Sequence, residues 1–144
     1  MAGHVLLAFD DSVPATRALE HAVTEMNPDR LSIVSVVEPG EVLYWSAEGG
    51  YVDSSAYDHA REQCEERVEK ARSQVEALTD GAIPVETVVR TGRPDREVVA
   101  YAEEAAVDHV VVGSHGRSGP SRILLGSIAE SIIRRSPTPV TVVR

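Results

Sequence analysis

What most constrains this chain is the alternation of two apolar patterns along its whole length. His4-Val5-Leu6-Leu7-Ala8-Phe9 is a continuous apolar run, as expected of a strand buried on both faces. Asp10-Asp11-Ser12 breaks it, with Ser12 suited to an N-cap and Pro14 to the first helical turn. Ala15, Ala18, Leu19, Ala22, Val23 and Met26 then recur at helical spacing until Asn27-Pro28. Leu31 to Val37 reads as a second strand, and residues 38–53 as a long loop holding Tyr44, Trp45 and Tyr51. Ser55-Ala56-Tyr57-Asp58 has the pattern of a capping box. Tyr57, Ala60, Cys64, Val68, Ala71, Val75 and Leu78 give one stripe of a helix running to about Thr79, which Gly81 ends.

The same rhythm continues to the end. Ile83 to Val89 reads as a strand and Thr91-Gly92-Arg93-Pro94 as a turn, with Pro94 opening a helix whose buried face is Val98, Val99, Ala102, Ala105 and Ala106. His109 to Val112 is a fourth strand, Gly126 to Arg135 a helix with arginines at its C-terminal end, and Pro139 to Val143 a fifth strand. The order β-α-β-α-β-α-β-α-β implies an α/β fold, a parallel sheet covered by helices on both faces. At 144 residues the chain suits one domain, 1–144.

Composition narrows the function classes. A net charge of −9 repels a phosphate backbone, which argues against general nucleic-acid binding. No apolar run approaches the roughly 18 residues of a membrane span. The start of the chain lacks a basic region and a cleavage site, so a cytoplasmic location is expected. The single cysteine, Cys64, fits a packed residue in a reducing compartment. Lys70 is the only lysine; a salt-adapted cytosol and a GC-rich genome both give such an acidic, arginine-biased chain.

In parallel sheets, ligands bind beyond the carboxyl ends of the strands. Two polar features fall there, Asp10-Asp11-Ser12 and Gly113-Ser114-His115-Gly116. The second continues through Arg117 and Arg122, with no acid, to Gly126-Ser127 at a helix start. Glycine permits close backbone approach, and the free N–H groups and dipole of a helix start favour an anion. This pattern reads as a phosphate cradle. It is not a P-loop, because the only lysine is mid-helix, nor a dinucleotide fingerprint, because Asp10 to Pro14 contains no glycine. His115 has no nucleophile assigned beside it by motif, and no histidine or cysteine spacing suits a metal.

The spacing Gly-x2-Gly-x9-Gly-Ser from Gly113 to Ser127 closely resembles the nucleotide-binding signature of the universal stress protein family. The resemblance covers the whole chain: Val5 to Ser12 is similar to the family's first strand and Asp-x-Ser turn, Thr91 to Pro94 to its turn before the third helix, and Ser136 to Val143 to its terminal strand. It implies a three-layer sandwich, adenine nucleotide alpha hydrolase-like, with a five-stranded parallel sheet in the order 3-2-1-4-5. It also implies ATP as ligand. From their chemistry, Asp10 and Asp11 are the carboxylates expected to approach a Mg²⁺ riding with the phosphates, since Mg²⁺ takes few protein ligands. By matching position, Asp10 accepts a hydrogen bond from adenine or ribose, and the Val36 backbone reads the adenine edge. Val112 and Gly113 lie by the ribose, and Gly116, Arg117, Gly126, Ser127 and Ile128 surround the phosphates. The resemblance further implies a homodimer formed through the terminal strand, 139–143. The function expected is a nucleotide-dependent stress-response module, more a binding protein than a fast enzyme. A slow ATPase or nucleotidyl hydrolase and a ligand-free dimeric interaction module are the alternatives.

Overall fold

A computed structural model describes residues 3–40, 54–116 and 124–144. Five strands, β1 (His4–Ala8), β2 (Arg30–Val37), β3 (Val85–Thr91), β4 (His109–Gly113) and β5 (Val140–Val143), form one parallel sheet in the order β3-β2-β1-β4-β5. Four helices follow the strands, α1 (Val13–Thr24), α2 (Ser54–Thr79), α3 (Pro94–Glu104) and α4 (Ser127–Arg135). The expected fold class and strand order are therefore found.

The pleat explains the layers. Val5, Leu7 and Phe9 pack with Leu31, Ile33 and Val111 under α1 and α2, through Ala18, Leu19, Ala22, Val68, Ala71 and Val75. Leu6 and Val34 pack with Val110 and Val112 on the other face, under α3 and α4, through Val98, Tyr101, Ala102, Ala129 and Ile132. Successive residues of one strand thus enter opposite cores, which is why β1 is apolar throughout.

Several expected details shift. The third strand begins at Val85, because Ala82 N–H turns back to the Thr79 carbonyl and Pro84 has no N–H to give the ladder. It extends to Thr91, paired with Val37. α2 already includes Ser54, so Ser55 lies inside the helix instead of capping it. Leu78, next in the α2 stripe after buried Val75, is exposed because the helix ends one residue later. Ala106 is exposed beyond the end of α3 with φ +49°, so it does not extend the helical stripe; Asp95 and Tyr101 are buried on that helix instead. In the expected 38–53 loop, Pro39 and Gly40 are helical; residues 41–53, with Tyr44, Trp45 and Tyr51, lie outside the described residues. Among the described residues, no helix is long and apolar enough to cross a membrane.

Candidate functional site

The carboxyl ends of β1, β2 and β4 open into a cleft of about 360 Å³. β1 leads into it through Phe9 and Asp10. Asp10 Oδ1 accepts from Ser12 N–H at 3.0 Å, which tightens the strand-to-helix turn, while Ser12 Oγ accepts from Ala15 N–H at 3.1 Å and caps α1. Ser12 therefore satisfies the helix start, and the Asp10 carboxylate lines the cleft. Asp11 adopts φ +64° and takes both carboxylate oxygens to Lys70 Nζ at 2.9 and 3.1 Å, away from the cleft lining. Of the two aspartates expected near a Mg²⁺, Asp10 lines the cleft and Asp11 does not.

The opposite wall comes from β4 and α4. Gly113 ends the strand where a Cβ would lie 2.9 Å from both Ala15 N and Pro14 C, so only glycine lets the start of α1 pack there. Ser114 N–H donates to the Val143 carbonyl at 2.7 Å, and the Ser114 carbonyl accepts from Gly126 N–H at 2.7 Å. The two ends of the loop are thereby stitched together. At Gly126 a Cβ would stand 3.1 Å from His115 Cα and from the Ser114 carbonyl oxygen. Gly126 is the N-cap of α4, and no side chain among the described residues caps that helix. Its first-turn N–H groups, on Ser127, Ile128 and Ala129, belong to residues that line the cleft.

α3 closes the apolar side through Pro94 and Val98. Its second residue, Asp95, is buried and accepts from Ser131 Oγ of α4 at 2.7 Å, tying the two helices behind the cleft. Burial pushes the Asp95 carboxyl up, but the Ser131 hydroxyl, Arg93 and the N–H groups of Arg96 and Asp95 outweigh it and hold the group below its ordinary range.

Of the residues expected at a site, Asp10, Val36, Val112, Gly113, Gly116, Gly126, Ser127 and Ile128 all line this one cleft. Arg117 and Arg122 lie outside the described residues. His115 also lines the cleft, and a serine does stand beside it: Ser114 Oγ is 3.2 Å from His115 Nδ1. Ser114 is buried and is not part of the lining, so this pair braces the turn. Sequence reasoning missed Glu38, Arg67, Pro94 and Val98. Arg67 in particular carries no strand-end signal, since it sits midway along α2.

The model of the universal stress protein family matches residues 1–144. The chain belongs to that family. Universal stress protein YxiE of Bacillus subtilis is 30% identical over the full length of both chains. Universal stress protein MJ0577 of Methanocaldococcus jannaschii is 29% identical, over 97% of this chain and 93% of its own. The solved structure of MJ0577 superposes with a TM-score of 0.79 at 28% identity, covering 97% of this chain and 94% of that one. A solved universal stress protein in complex with cAMP superposes with a TM-score of 0.66 at 25% identity, covering 99% and 97%.

Proposed function

We propose that the cleft binds an adenine nucleotide, ATP in the cell, and that the chain acts as a stress-response module through its nucleotide-bound state. The observation that carries this reading is the uncapped first turn of α4, which opens on the same cleft as Asp10 and Val36. Three of the helix starts at this end of the sheet can be compared. α1 is capped by Ser12, and α3, which has no side-chain cap hydrogen bond, carries the buried acid Asp95 in its own first turn. α4 has no side-chain cap, and its first-turn acid, Glu130, is paired outward with Arg134 at 2.7 Å. An anion is therefore best accommodated at α4.

The phosphates then sit at Gly116, Arg117, Gly126, Ser127 and Ile128, with Ser127 donating through both hydroxyl and N–H. Val112 and Gly113 flank the ribose, the Val36 backbone reads the adenine edge, and Asp10 accepts from adenine or ribose. A Mg²⁺ arriving with the phosphates needs few protein ligands, and Asp10 is the carboxylate to offer one. The cAMP complex of a family member supports an adenine nucleotide here. The described lining offers His115 without a nucleophile or an assigned general base, which favours holding over turnover.

Calorimetry on nucleotide-stripped protein tests the reading. ATP should bind at one site per chain, and the absence of heat with ATP, ADP and AMP alike would refute it. Sustained Mg²⁺-dependent turnover, lost on changing His115 or Asp10, would replace the binding module with an ATPase. The chain further forms a homodimer through 139–143 in this reading, supported by β5 being an outer strand whose valines are only half-buried.

A further inference from the structure

We infer that Arg67 of α2 contacts the nucleoside half of the bound nucleotide and sets part of its affinity, an inference that rests on the nucleotide reading of the cleft. Three charged residues with fixed sign line the described cleft: Asp10, Glu38 and Arg67. Arg67 is the only arginine or lysine among them. Arg61, Arg72, Arg90, Arg93 and Arg134 each find an acid within 4 Å. Among the described residues Arg17, Arg30, Arg67, Arg96, Arg135 and Arg144 do not, and of these six Arg67 is the one that lines the cleft; its one side-chain hydrogen bond is Nη1 donating to Cys64 Sγ at 3.7 Å. An arginine held at a cleft without a carboxylate partner leaves its planar fork of donors for whatever enters.

Its position decides which part of the ligand it meets. Cys64 is fully buried against Val37, at the end of β2. The guanidinium is therefore on the β2 side and on the α2 face of the sheet. The α4 start lies on the opposite face, by β4. β2 and β4 are separated by β1, hence by roughly 9.5 Å. That offset is too long for one group to serve both ends, and it places Arg67 at the β2 end of the cleft, on the Val37 side, and away from the α4 start. The helix is also pinned there. Three residues on, Lys70 holds Asp11 in the turn that carries Asp10, so α2 and the β1–α1 turn keep a fixed relation. A guanidinium in this place stacks on a purine face or donates to base and ribose acceptors, which an ammonium does poorly.

Calorimetry with ATP and AMP on the wild type, Arg67→Ala and Arg67→Lys tests this. Arg67→Ala should weaken both nucleotides by a similar factor, about tenfold, and Arg67→Lys should not restore affinity. Wild-type affinity in Arg67→Ala overturns the inference. So does full rescue by Arg67→Lys, or a penalty confined to ATP, since each makes Arg67 a charge for phosphates. A lower melting temperature of ligand-free protein with unchanged affinity assigns it to packing on Cys64 and overturns it as well. If Arg67→Ala does not fold, Arg67→Lys and Arg67→Gln, which keep much of the aliphatic stem, give the same discrimination. Failure of the wild type to bind either nucleotide refutes the cleft reading itself, a result distinct from all of these.

Discussion

At the scale of single residues, the glycines of the cleft divide by what crowds them. Gly113 faces backbone atoms of Pro14 and Ala15 at 2.9 Å, so a methyl group there must push α1 off the sheet. Gly113→Ala should cost about 1–3 kcal/mol of stability by urea denaturation, the range for overpacking. Gly126 faces the Ser114 carbonyl oxygen and His115 Cα at 3.1 Å, so Gly126→Val should lower nucleotide affinity in calorimetry and also cost stability. A Cβ added at Gly116 would lie 3.0 Å from Asp10 Oδ2. Asp10→Asn keeps a side-chain oxygen for Ser12 N–H but removes the charge; ATP affinity should fall about tenfold while the melting temperature of ligand-free protein changes little. Asp10 and the glycine spacing are legible in the sequence because they fall at strand ends. Arg67 is not, because its relevance depends on which side of α2 meets the sheet.

At the scale of elements, the joints between strands and helices carry buried polar groups that respond to pH. His4, at the start of β1, is buried with Nε2 2.7 Å from Ser32 Oγ, which in turn lies 3.0 Å from Tyr101 Oη; the chain links β1, β2 and α3. Burial first, and then Arg30, push the His4 pKa below its ordinary 6.5, against opposing effects of the Ala105 backbone, Glu86 and Asp108. Burial and the nearby His21 do the same to His109, whose Nε2 is 2.7 Å from Thr141 Oγ1 of β5. A depressed histidine takes up its proton more readily in the unfolded chain. Its stabilising effect is therefore complete above pH 6.5 and is lost as pH falls from there through the folded-state value. Asp95, also depressed, adds a second loss below its ordinary 3.8. Unfolding free energy should thus decline below pH 6.5 and again in strong acid, and His4→Asn should flatten the first decline in urea titrations at stepped pH. An unchanged slope would remove His4 from the account.

At the scale of the whole molecule, β5 is an outer strand, and Val140, Thr141, Val142 and Val143 are all half-buried. One side of β5 pairs with β4, and the proposed dimer covers the other. Light scattering should give about 31 kDa, twice the 15.5 kDa of one chain; a mass of one chain at micromolar concentration would exclude a stable dimer.

Apolar periodicity determined the element order, and with it the α/β class and the two-faced burial of the sheet. It could do so because strands buried on both faces and helices buried on one leave different local patterns. The glycine spacing marked the strand-to-helix loop after β4. Boundaries were less legible at Pro84 and Ala106, where a missing donor and a left-handed residue decided the start of one element and the end of another. What only the tertiary structure decided was convergence. Strand order brings Asp10, Val36 and Gly113 to one edge, and the packing of α2 turns Arg67 toward them. Those contacts join residues far apart in sequence, and no local pattern records the face on which a mid-helix side chain will meet its partner.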